Sequence, residues 1–223
     1  MNDHLDSGLL MNTGWCIELD LRVPAAGVTV NPVSSRTLHL RGKTLAFAGA
    51  TRLDNARALA EQWGLPATAG DAEIIGHAYC VWGDQFPERL RGDFSFALFD
   101  EASQSLWLVR DPLGVAPLYY HGNAGLWIAG DSLDILLAHP AVSDPLNDPV
   151  VAEWCSFGHV HHQTETFFAA IHKVPKATQL RISRDGVVAA RRYWAPETIP
   201  PLEYTREDDY VDHLHDLLNT VIT

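Results

Sequence analysis

The segment from residue 92 to residue 100 constrains the fold of this chain more than any other part of the sequence. Every second side chain in it is large, at Phe94, Phe96 and Leu98. This period of two is typical of a β-strand with one bulky face and one face of mostly small residues. A polar turn follows, then a second strand over 106–109, a turn over 111–114 and a third strand over 116–120. The pattern predicts an antiparallel meander.

Composition indicates a compact folded domain and excludes some classes of partner. With 223 residues and 47% hydrophobic content, the chain can bury a full core and is predicted to form one domain with a short extension. The net charge of -12 argues against nucleic acid, which requires a basic surface. The three cysteines form no CxxC pair, which favours a reducing cytoplasm over a disulfide framework or a zinc site. We find no secretory signal pattern and no apolar run of ~18 residues, so no membrane partner is expected.

Other segments also have strand patterns. Alternating apolar side chains predict a first strand over 16–30. A hairpin is predicted between segments 37–40 and 44–48, with its turn at Arg41-Gly42-Lys43. The later strands are expected over 126–130, 178–182 and 187–193.

Helices are predicted from periodicity and from their start signals. The segment 56–63 holds good helix formers and follows Asp54 or Asn55, either of which can cap it. The segment 71–82 has an apolar face at helical spacing, with Asp71 as its cap. The others are a short helix capped by Asp131 and ending at Leu137, one over 148–157, and one from 206 to the end, after a proline-rich break at 196–201.

Several motifs carry a family resemblance. They are Gly-Asp-Phe-Ser-Phe-Ala-Leu-Phe-Asp at 92–100, Arg-Asp-Pro-Leu-Gly-Val-Ala-Pro-Leu-Tyr at 110–119, Arg-Leu-Asp-Asn at 52–55, Gly-Asp-Ala-Glu-Ile-Ile at 70–75 and Arg-Tyr-Trp at 192–194. They resemble the N-terminal glutamine amidotransferase type-2-like domain of the asparagine synthetase family, which includes β-lactam synthetases and lasso-peptide macrolactam synthetases. The resemblance implies an α+β fold of the N-terminal-nucleophile hydrolase type, a four-layer α/β/β/α sandwich with two antiparallel sheets.

The resemblance also shows that the expected nucleophile is missing. Active members use a cysteine at the mature N-terminus, whose free α-amino group serves as the general base for the thiol. Position 2 is Asn2 here, and Cys16 is the nearest thiol. An internal cysteine carries an amide nitrogen, which cannot accept the proton. We therefore expect Cys16 to be a buried strand cysteine and the chain to have no catalytic residue.

The groups that bind and polarise glutamine also differ from the family pattern. The family's Asn-Gly-Glu triplet, which supplies the oxyanion donors, corresponds to Ala48-Gly49-Ala50. The arginine that holds the glutamine carboxylate has no counterpart before residue 48. Asp71 matches the aspartate that holds the substrate amino group, although it also fits a helix cap. Gly49 and Asp71 are thus expected to be remnants of a substrate site, and the glutaminase is expected to be inactive.

Two further sets of polar residues favour structural roles. Arg110 and Asp111, followed by Gly114, are predicted to fix a turn through charge-assisted hydrogen bonds. The tract His159-Val160-His161-His162 has the spacing of a metal-binding strand. It falls in a variable loop of the family and lacks a nearby cysteine or acidic cluster, so we expect no metal site.

The end of the sequence resembles the entry into a second domain. Residues 1–200 are predicted to form the amidotransferase-like domain, and 201–223 a linker and the first helix of an ATP-pyrophosphatase domain. That helix carries an apolar stripe at Tyr210, Leu214, Leu217, Leu218 and Val221. The Ser-Gly-Gly-x-Asp-Ser phosphate loop of the family does not occur in this sequence. We expect a truncated gene, a fragment or half of a split enzyme, whose synthetase domain, in cis or in trans, binds ATP and magnesium, while this chain itself binds no cofactor.

Three functions are compatible with the residues. The first is a glutaminase-inactive module of an ATP-dependent amide-forming ligase of macrolactam or β-lactam synthetase type. The second is an asparagine synthetase whose glutaminase works despite these losses, which requires a free N-terminal cysteine. The third is a free-standing interaction protein. The missing cysteine and Ala48-Gly49-Ala50 favour the first.

Overall fold

The computed structural model describes residues 14–22, 27–30, 35–123 and 125–222. The strands are β1 (Cys16–Asp20), β2 (Gly27–Val30), β3 (Ser35–Leu40), β4 (Lys43–Leu53), β5 (Gly92–Asp100), β6 (Ser105–Arg110), β7 (Tyr119–Asn123), β8 (Leu126–Gly130), β9 (His172–Lys173), β10 (Thr178–Ile182) and β11 (Val188–Arg192). The helices are α1 (Ala56–Trp63), α2 (Asp71–Trp82), α3 (Leu133–Leu137), α4 (Asp148–Phe157) and α5 (Glu207–Ile222), with 3₁₀ segments at Gly83–Arg89 and Pro196–Thr198. None of the described helices is long and apolar enough to cross a membrane.

The strands form two antiparallel sheets that lie face to face. One has six strands in the order β11-β10-β6-β5-β4-β3, and the other has five in the order β2-β1-β8-β7-β9. Alternate side chains of each sheet enter different cores, as the pleat of a strand requires. The two inner faces meet in a core that includes Ile17 and Leu19 from the five-stranded sheet and Leu108 and Leu180 from the six-stranded sheet.

Helices cover both outer faces, which gives four layers. The outer face of the six-stranded sheet packs against α1, α2 and the first 3₁₀ segment through a core that contains Phe47, Ile74 and Phe86. The outer face of the five-stranded sheet packs against α3 through Ile128 and Leu136. The structure thus confirms the predicted α+β sandwich with two antiparallel sheets.

Strand β5 is buried on both faces and lies at the centre of the larger sheet. Its large residues Phe94 and Phe96 belong to the core under the helices, whereas Ala97 and Phe99 belong to the core between the sheets. The alternation in the sequence therefore separates the two cores, and the predicted strand is confirmed. Ala97 is the small residue of this pair, and it allows the two sheets to approach each other at that point.

The third strand of the predicted meander is wrong. Strand β6 ends at Arg110, and the next strand, β7, begins at Tyr119 and belongs to the other sheet. The predicted turn over 111–114 is present, because the Gly114 N–H donates to the Asp111 carbonyl oxygen at 3.2 Å. The segment that follows the turn crosses between the sheets instead of continuing one of them.

The single strand predicted over 16–30 is also wrong. This part of the chain forms β1 and β2, which pair with each other so that Ile17 lies opposite Val30. The Arg22 side chain donates to the Asp20 carboxylate at 2.8 Å as β1 ends. Strand β1 also pairs with β8, so its position is set by a partner far along the chain.

The predicted helices over 56–63, 71–82 and 148–157 are confirmed. Asn55 occupies the N-cap position of α1, as predicted, but its side chain makes no cap hydrogen bond. The Asn55 amide donates instead to the Arg89 carbonyl oxygen at 2.9 Å. Ser132, not Asp131, caps α3 by accepting from the Asp134 N–H at 3.3 Å. Side chains close to helix starts are thus used to join distant segments.

Candidate active-site remnant

Gly49 lies in the middle of β4, opposite Phe96 of β5. A Cβ atom at this position would lie 2.4 Å from the Phe96 Cβ and 2.9 Å from the Ser95 carbonyl oxygen. Glycine is therefore required here by the close approach of β5. Ala48 is fully buried between the sheets, and Ala50 is exposed. The two alanines present only methyl groups, so no side chain of this triplet donates a hydrogen bond.

Asp71 begins α2 and binds back to the end of β4. Its Oδ2 atom accepts a hydrogen bond from the Leu53 N–H at 3.0 Å. The predicted capping role of Asp71 is wrong, because Gly70 occupies the cap position and no side chain caps the helix. The observed bond joins the helical layer to the six-stranded sheet. A role of Asp71 in holding a substrate amino group stays a prediction.

Cys16 opens β1 and faces away from the core between the sheets. Its side chain packs on the side of α3 and lines a cavity of about 310 Å³ together with Ile135 and His139. Burial, followed by the carboxylates of Glu18 and Asp131, raises the pKa of the Cys16 thiol to about 11. The thiol is therefore protonated near neutral pH, which is the opposite of what a nucleophilic cysteine needs.

Trp15 occupies the inner side at the start of β1, and the sequence reasoning missed it. Its side chain is 1% exposed and belongs to the same inner core as Ile17 and Leu19. The Trp15 N–H donates to Oδ1 of Asp131 at 3.2 Å, which fixes the entry into the strand. Because side chains alternate between the two faces of a strand, the spacing of Trp15, Ile17 and Leu19 could have predicted that Trp15 faces inwards. An indole, rather than a reactive group, thus fills this end of the core.

Arg110, Asp111 and Gly114 form a dense network at the chain crossing. The buried Asp111 carboxylate accepts from four backbone N–H groups, those of residues 113 to 116, at 2.6 to 3.0 Å. The Arg110 guanidinium donates to the carbonyl oxygens of Gly114, Ala116 and Val174, each at 2.8 Å. Gly114 has a φ of +73°, which suits glycine. In the structure these residues hold the turn.

The histidine tract gathers around one carboxylate of α4. His161 Nδ1 lies 2.6 Å from Glu153 Oε1, and His159 Nε2 lies 2.9 Å from His161 Nε2. His162 lies further away, with Nε2 3.8 Å from Glu153 Oε2. Hydrogen bonds from His161 lower the pKa of Glu153. In the parts of the chain that the structure describes, no group of three or more histidine, cysteine, aspartate or glutamate side chains is placed to hold a metal ion.

A comparison with protein families gives a match to the glutamine amidotransferase domain over residues 45–194. The chain belongs to this family. The matched region contains Gly49, Asp71 and the Arg110 turn, whereas Cys16 and α5 lie outside it. The predicted relationship to the amidotransferase domain of asparagine synthetases is thereby confirmed.

Curated proteins that resemble this chain include asparagine synthetases. The glutamine-hydrolysing asparagine synthetase 3 of Bacillus subtilis is 28% identical over 153 residues, which cover 69% of this chain and 24% of that protein. The glutamine-hydrolysing asparagine synthetase 3 of Arabidopsis thaliana is 32% identical over 107 residues, 46% of this chain and 18% of that protein. The chain thus spans about a quarter of the length of the Bacillus relative.

Among solved structures, the glutamine phosphoribosylpyrophosphate amidotransferase from B. subtilis resembles this amidotransferase domain. The two share 15% sequence identity with a TM-score of 0.50, and the match covers 81% of this chain and 43% of that one. At this level of identity the likeness shows the fold alone. It agrees with the two packed antiparallel sheets and their helical layers.

Proposed function

We propose that this chain is the glutaminase-inactive amidotransferase module of an ATP-dependent amide-forming ligase in the asparagine synthetase family. Macrolactam or β-lactam formation, in which an amine of the substrate replaces ammonia, is the reaction type that we favour. The observation that carries the proposal is the position of Cys16, whose thiol packs towards α3 and has its pKa raised to about 11.

Hydrolysis of glutamine needs a thiolate and a base beside it. With a pKa of about 11, only ~1 in 10,000 Cys16 thiols is ionised at pH 7. The residue is internal in this chain, so its nitrogen is an amide within β1 and cannot act as a base. Cys16 lies on the outer face of the five-stranded sheet, whereas Gly49 belongs to the six-stranded sheet. The core between the two sheets, which includes Ile17 and Ala48, separates these residues.

Stabilisation of the oxyanion is weakened as well. The family uses a side-chain amide next to the glycine, and here that position is the buried methyl group of Ala48. The loss of one such donor costs about 100-fold or more in rate. The missing donor and the protonated Cys16 thiol both hinder the attack on the glutamine side chain. Both observations therefore support an inactive glutaminase.

Glutamine hydrolysis is therefore expected to be absent. Purified protein should release no more glutamate from glutamine than its Cys16→Ala variant, as measured by coupled glutamate detection. A glutamine-analogue electrophile should modify Cys16 no faster than it modifies the other free cysteines, Cys80 and Cys155. Stoichiometric modification of Cys16 that excess glutamine prevents would overturn the proposal and favour an active glutamine-hydrolysing synthetase.

We also propose that the partner of this module is an ATP-pyrophosphatase synthetase domain, in cis or in trans. The support comes from α5, which buries no residue against the rest of the described chain. Its exposed apolar side chains are Tyr210, Val211, Leu214, Leu217, Leu218, Val221 and Ile222. In this proposal ATP and magnesium bind to the synthetase domain, and the amidotransferase module supplies the surface on which that domain packs.

The state of α5 tests the partnership by hydrogen exchange. In the isolated chain, backbone amides of α5 are expected to exchange rapidly, because a helix that buries none of its residues is only marginally stable. Amides of α2, which buries six of its residues, serve as the internal reference for slow exchange. Exchange of α5 as slow as that of α2 would show that the helix needs no partner and would favour a free-standing protein.

A further inference from the structure

Two of the three lysines of this acidic chain lie on one small cavity. Lys43 is paired with Asp100 at 2.6 Å. The other two, Lys173 and Lys176, line a cavity of about 240 Å³. Among the described residues neither of them forms an ion pair. In a chain with a net charge of -12, this local excess of positive charge is unexpected for a surface that only needs to be soluble.

The walls of the cavity are fixed by the Arg110 network. Arg110 donates to the Gly114 carbonyl oxygen and to the Val174 carbonyl oxygen, so it ties the turn to the segment that carries both lysines. A Cβ atom on Gly114 would lie 3.4 Å from the guanidinium carbon of Arg110 and 3.0 Å from the Cβ of Lys176. The absence of a side chain on Gly114 thus leaves the space between the two cationic residues open.

The cavity is lined by three cationic side chains, those of Arg110, Lys173 and Lys176. No aspartate or glutamate is among the described residues that line it. Both oxygens of the nearby Asp111 carboxylate already accept backbone N–H groups. Burial, and then the charge of Arg110, lowers the pKa of Lys173. Burial and the neighbouring Arg110 charge thus both disfavour the charged form of Lys173, and a bound anion in the cavity would favour it.

We propose that this cavity binds the phosphate group of a small ligand. Lys173 and Lys176 supply two point charges that match a phosphate dianion, and the Gln163 amide in the same wall can donate a further hydrogen bond. Arg110 already directs three nitrogens at carbonyl oxygens, so it lacks the free two-pronged face that typically selects a carboxylate. Leu113, which is 70% exposed, provides an apolar wall for an organic substituent.

Amine labelling tests the site directly, because the chain has only three lysines. We expect inorganic phosphate at saturating concentration to slow acetylation of Lys173 and Lys176 by about tenfold, as read by peptide mass spectrometry, while Lys43 is unaffected. Acetate at the same ionic strength is the control for screening. Equal protection of all three lysines, no protection at all, or equal protection by acetate would each overturn the phosphate assignment.

Variants provide a second, independent measurement. Lys176→Gln and Lys173→Gln are each expected to weaken phosphate binding about tenfold in calorimetry, since each removes one charge-assisted contact. Arg206→Gln on the exposed linker is the matched charge control and should bind as the unmodified chain does. Lys176 is exposed, so the Lys176→Gln variant is expected to fold normally. An unchanged affinity of this variant for phosphate would overturn the proposal.

The same titration distinguishes two sources of the phosphate. Glycerol phosphate that binds more tightly than inorganic phosphate, with the gain lost in Leu113→Ser, would identify a phosphate ester whose organic part contacts the apolar wall. Equal affinities would identify free phosphate as the ligand. Both results support the site, and absence of binding by either compound would overturn it.

Discussion

The Asp111→Ala variant is expected to lose about 3–5 kcal/mol of unfolding free energy, which is among the largest effects of a single substitution. Asp111 is 1% exposed, and its carboxylate accepts four backbone N–H groups. Alanine would remove the acceptor that these four N–H groups share in a part-buried turn. Urea denaturation followed by tryptophan fluorescence measures the change.

Two further variants separate the loss of hydrogen bonds from the loss of charge. Asp111→Asn keeps the Oδ1 acceptor but turns an NH₂ group towards the Ala116 N–H, so it should cost about 1–3 kcal/mol, less than alanine. Asp185→Asn, in an exposed turn with a short side-chain bond to Ser183, should leave the denaturation midpoint unchanged. Equal stability of Asp111→Ala and the unmodified chain would contradict the role of the network.

The second large effect is expected at Lys43, whose removal leaves the Asp100 carboxylate buried without its cation. Lys43 Nζ lies 2.6 Å from Asp100 Oδ2, and the Tyr79 hydroxyl donates to the same oxygen at 2.8 Å. The Asp100 side chain is fully buried, whereas that of Lys43 is 37% exposed. After allowance for solvent screening at the lysine, Lys43→Met should cost about 2 kcal/mol.

The same pair predicts a dependence of stability on pH. Burial alone would raise the pKa of Asp100, but the hydrogen bonds from Lys43 and Tyr79 outweigh it and lower the pKa below its ordinary 3.8. A carboxylate with a lowered pKa stabilises the folded state above its unfolded pKa and loses that contribution as the pH falls through the folded value. The stabilisation should thus be complete at neutral pH and decline below about pH 4.

Denaturation at a series of pH values separates this group from the other carboxylates. The difference in unfolding free energy between the unmodified chain and Asp100→Asn should shrink as the pH falls below 3.8. In the Lys43→Met background the decline should begin at higher pH, because the cation that lowers the pKa is gone. A difference that does not change with pH would show that Asp100 contributes through packing alone.

The sequence predicted most reliably those elements whose signals are local. The limits of α1 and α2 follow from runs of helix formers that end at Gly64 and Gly83, both with positive φ. Strand β5 follows from its period of two, because both of its faces are buried in different cores. These signals depend on side chains within a few residues of each other, so no knowledge of the partner strands was needed.

Features that depend on distant segments were predicted wrongly. A third strand of the meander was expected over 116–120. In the structure Arg110 donates to the carbonyl oxygens of Ala116 and Val174, and the Val174 N–H donates to the Leu118 carbonyl oxygen, so this segment leaves the sheet of β6. Asp131 was expected to cap a helix, but its carboxylate accepts from the Trp15 N–H at the start of the first strand. Neither Val174 nor Trp15 is near its partner in sequence, and no local pattern indicates these contacts.

The candidate site also combines features that local sequence indicates with features that depend on distant segments. That Gly49 has no amide-bearing neighbour is visible in the sequence, since Ala48 and Ala50 flank it. The outward direction of Cys16 and the inward direction of Trp15 require the pairing of β1 with β8. Gly114 and Lys176 line one cavity because the chain returns to the 111–114 turn after the fourth helix. The spacing of these residues in the sequence does not predict that they lie side by side.

The pairing of β1 with β8 also bears on how the molecule is made. Ile17 lies opposite Ala129, whereas the hairpins β3–β4 and β5–β6 join neighbours along the chain. Contacts that are near in sequence form faster than distant ones, because they close shorter loops. During synthesis, Ile17 can therefore pair early with Val30 in the β1–β2 hairpin, but this hairpin remains without β8 until Ala129 has been added. The β1–β2 hairpin is therefore expected to be complete long before it joins the rest of the five-stranded sheet.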